Sequence, residues 1–105
     1  MIPNSLSDLP RRIQNRTVRL CVVGLGYVGL PLAVAFANAG CRTVGVDTDR
    51  SRIEAAAQGR PYVRDRTVEI ALPRLIKNGS LVATLELESG IEQSDFIILC
   101  LPTLL

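Results

Sequence analysis

The feature that most constrains this chain is a change of rhythm at Gly24. "VRLCVV", Val18 to Val23, is a short, mostly apolar run that stops at a glycine. Glycines recur at Gly26 and Gly29, and from Tyr27 to Ala39 the spacing becomes helical. A short apolar run suits a strand buried on both faces of a parallel sheet. Strand, glycine-rich turn and helix then make one unit. In such a unit Gly24 lets the chain leave the strand through a tight turn. Gly26 keeps the backbone bare for an approaching diphosphate, and Gly29 lets helix and strand pack closely. The helix start offers unpaired N–H groups and the positive end of its dipole to an anion.

The alternation continues along the chain. Val28, Leu32, Ala35, Phe36 and Ala39 fall on one helical stripe, and Gly40 closes that helix. "RTVGVD", Arg42 to Asp47, reads as a second strand. Asp49 then reads as an N-cap for a helix over Arg50 to Gln58, with Gly59 ending it. Arg60 to Arg66 is a loop. Thr67 to Lys77 is a helix that Pro73 is expected to kink or split. Leu81 to Thr84 is a third strand, Glu86 to Gln93 a brief helix, and Asp95 to Leu101 a fourth, apolar strand. Residues 1–17 are polar with no sustained period and read as an extension. The fold class is therefore α/β, a partial doubly wound Rossmann-type parallel sheet with expected strand order 3-2-1-4.

Asp47 gives the glycine turn its specificity. It ends the second strand about twenty residues on, where a dinucleotide-binding fingerprint places an acidic residue. A carboxylate there accepts hydrogen bonds from adenosine ribose hydroxyls and repels a 2′-phosphate, which favours NAD over NADP. A strand-end or helix-cap role for Asp47 is the alternative. Arg50 and Arg52 are either solvated helix residues or, for Arg52, a reach toward ribose or adenine. Both turned toward the 2′ position would readmit NADP.

Bulk properties narrow the partners. The 105 residues are 48% hydrophobic with a net charge of +2, which excludes disorder and gives no electrostatic footprint for nucleic acid. Arg11, Arg12, Arg16 and Arg19 cluster, and the expectation is a solvated arm. The sequence shows neither a run long enough for a membrane span nor a secretory-signal pattern. Three cysteines with no histidine argue against a zinc site or a disulfide framework. Cys21 and Cys100 read as buried small hydrophobes, and a cytoplasmic setting is expected.

With "VVGLGYVGLPLAVAFANAG" and "VGVDTDRSRI" on the page, the sequence resembles the N-terminal NAD-binding domain of the UDP-glucose/GDP-mannose dehydrogenase family. "NGSLVAT" and "SDFIILCLPT" match that family in type and spacing. The resemblance runs from Val18 to Thr103. It implies oxidation of the C6 hydroxymethyl of a nucleotide sugar to a carboxylate with two NAD, in polysaccharide biosynthesis. Carried over, Gly24, Gly26, Tyr27, Val28 and Gly29 hold the diphosphate and Asp47 the adenosine ribose, assisted by Arg52. Thr103 matches the threonine that the family places beside the nicotinamide, although Leu104 stands where the family has a second proline. "RDRTVE" replaces the family's Glu-Pro pair before the third helix.

The resemblance places the family's cysteine nucleophile and its helpers downstream of Leu105. Residues 18–105 are thus expected to be an incomplete NAD-binding domain, inactive alone and weak in NAD binding. Self-association through the edge of the apolar fourth strand, or through the apolar faces beside it, is expected. The alternatives are part of a β-hydroxyacid-type dehydrogenase and a non-enzymatic NAD-sensing module.

Overall fold

Four parallel strands form one sheet in the order β3-β2-β1-β4: β1 (Arg19–Val23), β2 (Arg42–Val46), β3 (Leu81–Thr84) and β4 (Phe96–Leu99). The computed structural model describes residues 9–15 and 17–101. β1 is central. Its Val23 pairs with Val46 on one side and with Leu99 on the other. The chain steps outward through β2 and β3, then returns across β1 to β4. That reversal puts a crevice at the carboxyl ends of β1 and β4, where open α/β sheets hold ligands.

Five helices surround the sheet among the described residues: α1 (Leu9–Gln14), α2 (Gly29–Asn38), α3 (Arg50–Ala57), α4 (Arg66–Lys77) and α5 (Leu87–Glu92). Val22, Leu30, Ala33, Val34, Leu72 and Leu75 form the heart of one core beneath α2 and α4, each at most 1% exposed. On the opposite face α5 lies close to the sheet because Gly90 has no side chain. A Cβ there would stand 3.0 Å from Val46 Cγ2 and 3.2 Å from Cys21 Sγ.

The expected strand order is the observed one, and so are the α3 cap and the β3 bounds. Asp49 accepts hydrogen bonds from the N–H groups of Ser51 and Arg52. Other expectations need correction. The buried stripe of α2 is Gly29, Leu30, Ala33, Val34 and Ala37, whereas Val28 is 70% exposed and Ala35 and Ala39 are exposed. Every residue of α2 but Asn38 is non-polar, so two stripes satisfy the same period. Close approach to the sheet selects the one with the small residues. Pro73 does not split α4, which runs unbroken from Arg66 to Lys77. The proline lies on the solvent face, while Val68, Ala71, Leu72 and Leu75 hold the helix on both sides of it. α4 begins one residue early because Asp65 accepts from the N–H of Val68 and caps it. This is the local function of "RDRTVE".

The N-terminal segment also departs from expectation. Leu9–Gln14 is helical. Arg12 is not a solvated side chain: its guanidinium grips the Asp95 carboxylate through two nitrogens, and the backbone N–H of Arg19 donates to the same carboxylate at 2.9 Å. Arg16 lies outside the described residues. β4 is shorter than expected at both ends, although the Asp95 N–H still donates to the Arg19 carbonyl at 2.8 Å while its side chain serves as this anchor. Cys21 is fully buried as expected, but Cys100 is only half-buried.

Candidate functional site

The turn after β1 is built by close contacts that only glycine permits. Gly24 has φ +99°, and a Cβ on it would stand 2.3 Å from the Cys100 carbonyl oxygen. Its N–H donates to the Val46 carbonyl at 2.7 Å, which carries the β1–β2 ladder one step past the strand. Gly29 is tighter still, since a Cβ there would lie 1.5 Å from the Gly24 carbonyl oxygen. Gly26 is different. The nearest atom to a Cβ there is Arg52 Nη1 at 3.7 Å, so its bareness relieves no clash within the chain. The space that a side chain would occupy opens instead onto a cleft.

That cleft has a volume of about 750 Å³ and is lined by Gly24, Gly26, Tyr27, Val28, Asp47 and Arg52, among others. α2 begins at its wall with no side-chain cap at Val28; in its first turn the Leu30 N–H donates to the Gly26 carbonyl at 3.1 Å and Pro31 has no N–H, which leaves the Gly29 N–H to a ligand or to water. Tyr27 is 82% exposed at the rim. Gly29 does not line the cleft but sits behind it against Gly24. Thr103 lies outside the described residues. Cys100, expected in the core, lines the cleft.

Asp47 is 7% exposed and accepts three hydrogen bonds from its neighbours. Oδ2 accepts from the Leu25 N–H at 2.8 Å and from Arg52 Nη1 at 3.3 Å. Oδ1 accepts from the Asp49 N–H at 2.8 Å. Burial pushes this carboxyl up, but the bonds from Asp49, Leu25 and Arg52 outweigh burial and hold it below the usual carboxylate range. It is therefore a carboxylate at neutral pH. An ionised carboxylate has about four lone-pair sites, and three are used, which leaves one on Oδ1. The strand-end role and a ligand-accepting role are thus compatible in one side chain.

Arg52 reaches over Gly26 to Asp47 and lies 3.8 Å from the Asp49 carboxylate. Arg50 is exposed. Asp49 is itself held below the usual carboxylate range, chiefly by the Ser51 hydroxyl, which donates at 2.6 Å. Two acids and one guanidinium therefore leave the wall of the cleft beside Asp47 net negative.

Sequence reasoning missed Tyr62. Its hydroxyl donates to the Leu25 carbonyl at 2.7 Å, across 37 residues. Burial and the nearby Asp47 charge push its phenol up to about 12. The only sequence signal was the Tyr62–Val63 pair in a loop rich in arginine, and nothing in the local pattern says where that loop returns. By contrast, burial pushes the Cys21 thiol up, which makes it a poor thiolate nucleophile.

A bare glycine at a helix start, beside an ionised carboxylate at the tip of the next strand, fits the ADP half of a dinucleotide. The comparisons with known proteins agree. Residues 18–104 match the model of the UDP-glucose/GDP-mannose dehydrogenase family, NAD binding domain. The chain is 35% identical over 95 residues to a UDP-N-acetyl-D-mannosamine dehydrogenase of Methanococcus aeolicus, covering 90% of this chain and 21% of that protein. It superimposes on a GDP-mannose dehydrogenase of Pseudomonas aeruginosa with a TM-score of 0.78 at 28% identity, over 81% of this chain and 20% of that one. For a UDP-glucose dehydrogenase of Pyrobaculum islandicum the TM-score is 0.75 at 31% identity, over 94% and 21%. The chain thus spans about a fifth of the length of the relatives it matches. No described helix is long and apolar enough to cross a membrane. The glycine turn, the acidic strand end, the sheet order and these likenesses converge: the chain belongs to the UDP-glucose/GDP-mannose dehydrogenase family and carries the fold of its NAD-binding domain.

Proposed function

We propose that the cleft holds NAD by its ADP half and that the protein serves the oxidation of a nucleotide sugar's C6 alcohol to the carboxylate. One observation carries the reading. The uncapped start of α2 faces the space left by Gly26, and the Asp47 carboxylate lies in the same cleft. The diphosphate would meet the backbone N–H groups from Gly26 onward, since those of Gly24 and Leu25 are held by the Val46 carbonyl and Asp47, with Tyr27 and Val28 forming the rim. Asp47 would accept one ribose hydroxyl at its free Oδ1 site, and a second only if Arg52 yields its place on Oδ2. Bound there, the nicotinamide end supplies a hydride acceptor, and two such equivalents are needed to take an alcohol to an acid.

The net-negative wall supports NAD over NADP, since a 2′-phosphate would meet the Asp47 and Asp49 charges. NMR titration of the chain with NAD, NADP and ADP tests the site, and it reads binding even in the millimolar range. NAD and ADP should shift the amides of Gly26 to Leu30, NADP should bind at least about tenfold more weakly, and Gly26→Ala should abolish the NAD shifts while the protein stays folded. Equal binding of NAD by Gly26→Ala would sink the reading.

Thr103 is proposed beside the nicotinamide on the family's pattern alone. Self-association is proposed through β4, whose Ile97 and Leu99 are 43% and 66% exposed on an unpaired edge among the described residues. Sedimentation velocity across a hundredfold concentration range tests it, and a constant monomer would refute it.

A further inference from the structure

We infer that Tyr62 is a positioning residue for the diphosphate-facing backbone, acting through the Leu25–Gly26 peptide; the inference rests on the NAD reading above. Leu25 is the middle residue of the glycine turn, and its main chain is held at both ends. Its N–H donates to Asp47 Oδ2 at 2.8 Å, and its carbonyl accepts from the Tyr62 hydroxyl at 2.7 Å. Its side chain is 1% exposed and fills the space over Gly45, where a Cβ would stand 2.8 Å from Leu25 Cδ1. Three anchors on one residue leave its peptide no freedom to rotate.

The consequence follows from peptide geometry. The Leu25 carbonyl and the Gly26 N–H belong to the same planar trans unit and point in opposite directions. The structure has no cis peptide bonds among the described residues. By drawing the carbonyl toward the α3–α4 loop, Tyr62 directs the Gly26 N–H the other way. Gly26 is the one glycine of the three whose missing Cβ serves the cleft rather than internal packing. Tyr62 therefore sets the direction of the N–H of the one glycine whose Cβ position opens onto the cleft.

The loop that carries Tyr62 is itself fixed. The Arg60 N–H closes onto the Ala55 carbonyl at 2.8 Å, Val63 is buried in the core, and Asp65 caps α4. A phenol raised to about 12 stays protonated through the whole neutral range, so the donor does not switch off. A tyrosine of purely structural value would need only its ring against the core. The hydroxyl's partner, a backbone atom inside the glycine turn, points to a role for the oxygen.

The experiment compares the whole chain with Tyr62→Phe, titrated with NAD, ADP and adenosine. Loss of one neutral hydrogen bond predicts about a fivefold rise in Kd for NAD and ADP, and less than about twofold for adenosine, which has no diphosphate. Amide exchange at Gly26 and Tyr27 should quicken in the variant without ligand. A loss equal for all three ligands, or no loss for any, overturns the inference. Failure of the unsubstituted chain to bind NAD or ADP overturns the site reading and this inference with it, which separates the two failures. A second variant guards against misfolding: difluorotyrosine at position 62 keeps the shape but ionises at lower pH. Its NAD affinity should fall as the phenol ionises while its adenosine affinity holds, and a flat NAD profile would overturn the inference.

Discussion

β2 and β4 both pair with β1 in parallel, yet they are held by different means. β2 is buried by packing: Thr43 and Val46 are 1% and 3% exposed, β3 covers its outer edge, and helices press on both faces. β4 is held by polar contacts at its two ends. Asp95 is gripped by Arg12 and Arg19 below it, and the Cys100 N–H donates to the Val23 carbonyl at 2.7 Å above it. Between these points Phe96, Ile97 and Leu99 stand 39%, 43% and 66% exposed. The lesson is that the Asp47 side of the cleft rests on the packed half of the sheet, while the side beyond β1 rests on a pinned strand. Stability and ligand binding should separate along that line.

The largest effect should come from the glycines that are packed rather than open. Gly29→Ala drives a methyl into the Gly24 carbonyl, a backbone group that cannot swing away, with the Cys100 Cβ 3.3 Å from it. A cost of about 3 kcal/mol or more is expected, read by urea denaturation. Gly26→Ala meets no clash and should leave the midpoint unchanged or slightly raised, because alanine restricts the unfolded chain. Equal costs at the two positions would show that the turn is one packed unit with no opening.

Next in size is the pin under β4. Arg12→Ala leaves a buried carboxylate, its side chain 8% exposed, with only the Arg19 contacts among the described residues. A loss of about 1–3 kcal/mol is expected. It should be local, so hydrogen exchange should quicken at Ile97 to Leu99 well before it quickens at Val44 to Val46. Uniform quickening would mean that β4 and β2 share one cooperative unit.

The acid limb sharpens the same contrast. The Arg12 guanidinium, outweighing burial, holds Asp95 below the usual carboxylate range, and Asp47 is likewise held low. Groups whose folded-state pKa is depressed stabilise the fold above their unfolded value of about 3.9. That stabilisation disappears as pH falls through the folded value. Arg12→Ala should therefore flatten the pH dependence of stability below about pH 4, with the Asp47 share remaining. The alkaline limb has the opposite sign. Tyr62 is raised to about 12, so its contribution is intact below its unfolded value of about 10 and is lost as pH rises through 12. Tyr62→Phe should remove that limb, and an unchanged alkaline profile would contradict the buried, donor-acting phenol.

How much of this was legible beforehand follows from the range of each interaction. The sheet order, the α3 cap and the grouping of Gly24, Gly26 and Asp47 rest on local chemistry and on the handedness of crossovers, both of which a sequence carries. The face of α2 was not legible because its apolar residues wrap most of the helix, so the choice is made by how near Ala33 and Ala37 let the sheet come. Arg12 and Tyr62 were missed for a related reason. Each bonds to a partner far along the chain, Asp95 across 83 residues and Leu25 across 37, and neither distance leaves a periodic trace. Cys100 was placed in the core because its neighbours are apolar, but the strand ends just before it and opens the residue to the cleft.

The smallest expected effect on stability belongs to the rim, and it is the finest test of the comparison. Tyr27 is 82% exposed and Val28 is 70% exposed, so neither side chain supports the fold by burial. Tyr27→Ala should change stability by less than about 0.5 kcal/mol, within the range of ordinary surface substitutions. Large side chains left at the mouth of a cleft still bury area when a ligand arrives, so the same variant should weaken NAD binding by a few-fold in the titration. A drop in stability comparable to that of Arg12→Ala would place Tyr27 among the braces of the turn, and the division between packed scaffold and open rim would then fail at the residue where it is drawn most sharply.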